Sequence, residues 1–154
     1  PLQLGHASIG GAVNLNSLGS STEPTTTIRL GAGSLGRAEM QLSHQATHGA
    51  WDMALALSHR QSDNDFSFIS NNGTPLNPGD DSREHRHNAD VQRSAALIRA
   101  GYQQNQDSRT DLTLQLAARD LGVPEFRNNA ENIASYDTRS TQLQLSQILD
   151  GLGA

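Results

Sequence analysis

A chain of 154 residues that is 34% hydrophobic, with a mean hydropathy of −0.57, has the length of one ordinary domain but few apolar side chains for a soluble core. Its net charge of −5 is spread over mixed acids and bases, so no basic stripe marks a nucleic-acid partner, and with no cysteine it can have no disulfide, thiolate metal site or thiol nucleophile. No apolar run reaches the roughly 18 residues of a membrane helix, which leaves a membrane β-barrel open, since barrel strands need apolar residues only at alternate positions.

Residues 1–15 combine small residues and the pair Gly10 and Gly11 with a short apolar stretch at 12–15, a pattern for close backbone approach and a short buried strand. The chain opens at Pro1 with no Met, basic region or apolar signal stretch, and so reads as starting inside a longer protein. Residues 18–24 read as a Ser/Thr-rich linker. From Thr26 a period of two begins, with Ile28, Leu30 and Ala32 set against Thr27, Arg29 and Gly31. After a glycine turn at 33–36, Ala38, Met40 and Leu42 alternate with Glu39, Gln41 and Ser43. A short turn at 47–50 leads to the clearest pattern, Trp51, Met53, Leu55 and Leu57 against Asp52, Ala54, Ala56 and Ser58.

Residues 61–88 are rich in turn formers and predict one long loop. Ala96, Ile98, Ala100 and Tyr102 mark a fourth strand, a polar turn follows at 103–107, and Leu112, Leu114 and Leu116 mark a fifth. A second long loop covers 120–135, and Leu143 and Leu145 mark a sixth strand. From the turn at 47–50 onward the connections alternate short and long, which places the large loops at one end, and the short turn at 33–36 is an exception at that end. The chain offers no helix to cover the apolar face of this meander, so lipid is the expected cover, and Asp52, Arg99, Asp111 and Gln115 are expected to face a wet lumen or a plug inside it. An aromatic content of 4% is low for the interfacial girdles of such a barrel.

Several constellations have competing readings. Gly31, Gly33 and Gly36 fit a dinucleotide-binding fingerprint with Asp52 at the expected distance, but the threonines and Arg29 before them suit a half-exposed strand, and a glycine hairpin explains them better. Residues 32–36 approximate a nucleophile elbow with His44, His48 and His59 available, and the same turn accounts for them. His85 and His87 could ligate a metal, yet Arg83 and Arg86 interleave with them and oppose a cation, so no metal site is expected. Asn72 to Thr74 fits a glycosylation sequon, but Asn-Gly is also a plain turn signal, and the turn is the preferred reading.

Gly5, Ala7, Ile9, Gly10, Gly11, Ala12, Val13, Asn14 and Leu15, followed by the Gly31–Gly36 turn with Leu35 where an aromatic is usual, resemble the plug end and first barrel hairpin of TonB-dependent outer-membrane receptors. The resemblance implies that 1–17 end a plug domain and that 25–154 hold the first six or so strands of an all-β, antiparallel transmembrane barrel of about 22 strands. It further implies no enzyme activity, no cofactor, and location in a Gram-negative outer membrane. The function would be uptake of a scarce nutrient such as a siderophore-iron chelate, cobalamin or a metal ion, powered by the TonB complex through a segment beyond this chain. Expected lipid contacts are Trp51, Met53, Leu55, Leu57, Leu112, Leu114 and Leu116, and the expected ligand-catching loop carries Asp63, Asp65, Phe66, Phe68, Asp80, Asp81, His85 and His87.

Overall fold

The computed structural model describes residues 23–149; the expected plug end and most of the linker lie outside them. The strands are β1 (Thr25–Ala32), β2 (Ala38–His48), β3 (Trp51–Ser62), β4 (Ser67–Ser70), β5 (Ser82–His85), β6 (Val91–Asn105), β7 (Ser108–Gly122) and β8 (Ser135–Leu149). Six of them form one antiparallel sheet in the order β1-β2-β3-β6-β7-β8, a meander in which each strand pairs with the next of the sheet, so β1 and β8 are its edges. The expected all-β antiparallel meander is therefore present. The long loop between β3 and β6 is not structureless: β4 and β5 pair as a small second hairpin, with a single 3-10 turn at Pro78–Asp80 between them.

Turn chemistry fixes the register. Between β2 and β3 a two-residue turn begins at Gly49, whose φ of 59° is the left-handed value such a hairpin requires. The β1–β2 turn is closed by the Gly33 amide donating to the Arg37 carbonyl at 2.9 Å. Leu35 lies at φ 59° in that turn, held there because its carbonyl accepts from the Asp63 amide at 2.9 Å and from Ser62 Oγ at 2.9 Å. Gly31–Gly36 is thus the end of a strand and a hairpin turn, and the segment after it is a strand where the dinucleotide fingerprint needs a helix.

Register separates the side chains into two faces. Trp51 faces Tyr102; Met53, Ala100, Leu112 and Leu145 share a row; Leu55, Ile98, Leu114 and Leu143 share the next; Leu57, Ala96 and Leu116 share a third. All seven expected lipid contacts fall on this one face. No second layer covers it: among the described residues no hydrophobic side chain is buried, and Met53, Leu143 and Leu145 are each more than half exposed. The rings of Trp51 and Tyr102 lie 4.5 Å apart at the short-turn border of the apolar band, while the other four aromatics, Phe66, Phe68, Phe126 and Tyr136, lie at the long-loop end.

The other border of the band descends across the sheet. Leu30 faces Met40, but the partner of Met40 on β3 is His59, and there the band starts one row lower, at Leu57. Leu57 is level with Ala96 and Leu116, whose partner on β8 is Thr141, and the band starts one row lower again, at Leu143. A drop of two rows, or four residues, across five strand-to-strand steps corresponds to a tilt of roughly 30° between the strands and the normal to the band. No helix of the described residues is long and apolar enough to cross a membrane, which says nothing of strands.

Candidate functional site

The polar face carries two charged clusters, one at each end of the strands. At the short-turn end, Asp52 on β3, Gly101 on β6 and Asp111 on β7 share a row. Arg109 spans it, its Nη2 donating to Asp52 Oδ1 at 2.5 Å and to Asp111 Oδ1 at 2.8 Å, while its Nε donates to Asp111 Oδ2 at 2.9 Å. Arg99 Nη2 donates to Asp111 Oδ1 at 2.8 Å. Two carboxylates and two guanidiniums are closed on one another, and Asp111 is only 7% exposed. Gly101 makes the room, because a Cβ there would strike the Arg109 guanidinium and the Asp52 carboxylate. Gly101→Ala should push these side-chain ends apart and lower stability by about 1–2 kcal/mol, read from denaturant midpoints.

At the long-loop end the balance is different. Glu39, Arg60, Arg93, Arg119 and Thr138 form one continuous cross-strand row from β2 to β8. Glu39 receives Arg60 and Arg37, each at 3.1 Å. Arg93 and Arg119 are half-buried and have no carboxylate within ion-pair distance among the described residues, and the Nε of each is buried without a hydrogen-bond partner there. Like charges directly opposite one another on adjacent strands are destabilising, so this row is costly as it stands. One row further into the sheet stand the small residues Ser58, Ala95, Ala117 and Ser140, which leave space beneath the guanidiniums. A recess of about 220 Å³ is lined by Arg37, Arg60 and Arg93 with Ser62 and Asn64.

Above this row the loops are tied together. Asn128, 7% exposed, donates through Nδ2 to Glu84 Oε2 at 2.7 Å and to the His85 carbonyl at 2.9 Å, and its Oδ1 accepts from the His87 amide at 2.9 Å. Asn88 Nδ2 donates across to the carbonyls of Val123 and Ala134 at 3.1 and 2.7 Å. The loop at 123–134 is thereby clamped to the β4–β5 hairpin. Arg86 lies 5.7 Å from the centre of the Phe68 ring, and Phe66 and Phe68 are 6.2 Å apart.

The expected loop residues separate on this frame. Phe66 and Phe68 do come together, with Arg86 added. Asp80 is taken up inside its own loop, accepting from Thr74 Oγ1 at 2.9 and 2.7 Å, and His85 Nδ1 lies 2.8 Å from the Asp65 carbonyl. Asp63 sits against the Gly36 turn, and Asp81 and His87 are exposed. No group of three metal-ligating side chains occurs among the described residues. The arginine row was not anticipated, because Arg60, Arg93 and Arg119 are far apart in sequence and only the register aligns them; their shared signal is an Arg near the long-loop end of three successive strands of the sheet.

The Asn128 hydrogen bond holds the Glu84 carboxyl below the usual carboxylate range, against a smaller opposing effect of burial. A lowered carboxylate contributes above its unfolded pKa of about 4.3 and stops contributing as pH falls through its lower folded value. The clamp should therefore persist through mild acid and open only in stronger acid. Asn128→Ala should open it at neutral pH, costing about 1–3 kcal/mol locally, seen as faster amide exchange at 84–88 with the sheet strands unchanged. Unchanged exchange at 84–88 would show that Asn128 does not hold the loops.

No family model matches this chain, and neither a curated protein nor a solved structure matches it.

Proposed function

We propose that residues 25–154 are part of the wall of an outer-membrane β-barrel receptor of the TonB-dependent type, with 1–17 as the end of its plug. Such a receptor takes up a scarce external nutrient, with the long loops and the outer part of the lumen meeting the ligand. The observation that carries this reading is the sheet's single layer. A continuous apolar face of Trp51, Met53, Leu55, Leu57, Ile98, Leu112, Leu114, Leu116, Leu143 and Leu145 has no protein cover among the described residues. Lipid supplies that cover in a barrel. The tilt of roughly 30° given by the band's descending border is near the range of barrel strands, and Trp51 with Tyr102 suits an interfacial girdle. Short connections at one end and the long, clamped loops at the other repeat the asymmetry of outer-membrane barrels.

The test is far-UV circular dichroism of the 154-residue chain in buffer and in detergent micelles or lipid vesicles. β-structure that develops only with detergent or lipid is the expected result, since the apolar face and both sheet edges are open in water. Cooperative all-β structure in plain buffer would overturn the membrane reading in favour of a β-rich interaction module, and a dominant helical signal would revive a nucleotide-dependent enzyme.

A further inference from the structure

We infer that the Arg60, Arg93 and Arg119 row is a binding site for a small polyanion, a molecule carrying two or more carboxylate or phosphate groups. The inference rests on the receptor reading, because the polar face lines a lumen, open to water where the plug leaves space, only if lipid covers the other face, and it narrows that reading to a class of ligand.

The contrast between the two clusters carries it. At the short-turn end the charges of the sheet's polar face answer one another: Arg99 and Arg109 are paired with Asp52 and Asp111 at 2.5 to 2.9 Å. That end is a closed structural clasp. At the long-loop end Arg29, Arg37, Arg60, Arg93 and Arg119 share the polar face with one carboxylate of the same sheet, Glu39, already shared by Arg37 and Arg60. Two further acids stand at the loop rim, Asp63 beside Gly36 and Asp90 beside Gly122, and Asp120, the neighbour of Arg119 in the chain, points to the opposite face. Both buried side-chain atoms left without a hydrogen-bond partner among the described residues belong to this row, Arg93 Nε and Arg119 Nε. A buried donor left unmade is expensive, and two of them on neighbouring strands mark the place of an absent acceptor.

Guanidinium is a planar fork suited to bidentate contact with carboxylate or phosphate, and it stays charged at any relevant pH. Adjacent strands are about 4.8 Å apart, so the three arginine backbones span roughly 10 Å, a width for several anionic groups on one molecule. The small residues Ser58, Ala95, Ala117 and Ser140 leave the space a ligand of that width needs. The site lies just beneath the clamped loops, so its occupant enters from the long-loop end. A singly charged or neutral ligand would leave most of the repulsion along the row in place.

The test uses the 154-residue chain folded in detergent micelles, with radiolabelled pyrophosphate and, separately, a tricarboxylate in equilibrium dialysis. Saturable binding is expected, weakening as salt rises, about tenfold weaker in Arg93→Gln or Arg119→Gln and abolished in the double variant. Arg127→Gln, in the exposed loop at 123–134, should bind normally. A second readout separates a ligand site from a structural one: without anion, Arg93→Gln should unfold at a higher denaturant concentration than the parent, because it relieves repulsion. Folded protein that fails to bind either anion, binding unchanged by the Arg93 and Arg119 substitutions, or a lower midpoint for Arg93→Gln would each overturn the inference and leave the barrel reading standing. A chain that gains no β-structure in micelles would overturn both.

Discussion

Leu55→Arg is expected to lower the stability of the bilayer-inserted sheet by about 2–4 kcal/mol, while the same substitution one residue away, Ala56→Arg, should stay within about 1 kcal/mol. The contrast follows from register. Leu55 lies in the apolar band, level with Ile98, Leu114 and Leu143 on one side, and in the membrane reading an arginine there meets those side chains and lipid. Its β2 partner is His44, already engaged with Thr26 Oγ1 at 2.8 Å and so a poor source of help. Ala56 points the other way, level with Ser43, Leu97 and Gln115 on the polar face, where in the same reading the lumen would hydrate a guanidinium. Denaturant unfolding from lipid vesicles measures both. Equal costs at the two positions, or the larger one at Ala56, would mean that lipid does not cover the Leu55 face.

The same alternation explains what could be read from the chain without coordinates. A period of two is visible wherever one face is apolar, so the strands around Leu55, Ile98 and Leu114, their turns and their order were legible. The β4–β5 hairpin was not, because both strands are four residues long, Ser67–Ser70 has its two apolar residues adjacent and Ser82–His85 has none, so neither alternates. Strand ends were also underestimated: β6, β7 and β8 run to 15 residues each, but the ends of β7 carry Arg109, Thr110, Arg119 and Asp120, which look like loop. The candidate site was legible only in part. Phe66 and Phe68 were found because aromatics in a polar loop stand out. Asn128 was missed because its role depends on a φ of 55° that lets one side chain reach both Glu84 and the backbone at 85–87. The arginine row was missed because pairing between distant strands is a property of register, and periodicity carries no register information.

Asp111→Leu should be the most damaging single change on the polar face, costing about 3 kcal/mol, because it takes an anion from two guanidiniums at once. Asp111 accepts one hydrogen bond from Arg99 and two from Arg109, at 2.8 to 2.9 Å, so its loss leaves Arg99 without an anion and Arg109 with Asp52 alone. Its side chain is 10% exposed and those of Arg109 and Arg99 are 25% and 33%, so water can soften the penalty without removing it. If the loss of pairing is the cause, removing the cations as well should restore much of the stability: Asp111→Leu with Arg99→Met and Arg109→Met would sit closer to the parent than Asp111→Leu alone. Denaturant midpoints in micelles supply all three values. A triple variant less stable than the single one would show that the arginines contribute through packing of their aliphatic stems along β6 and β7, and that the cluster is a spacer more than an electrostatic clasp.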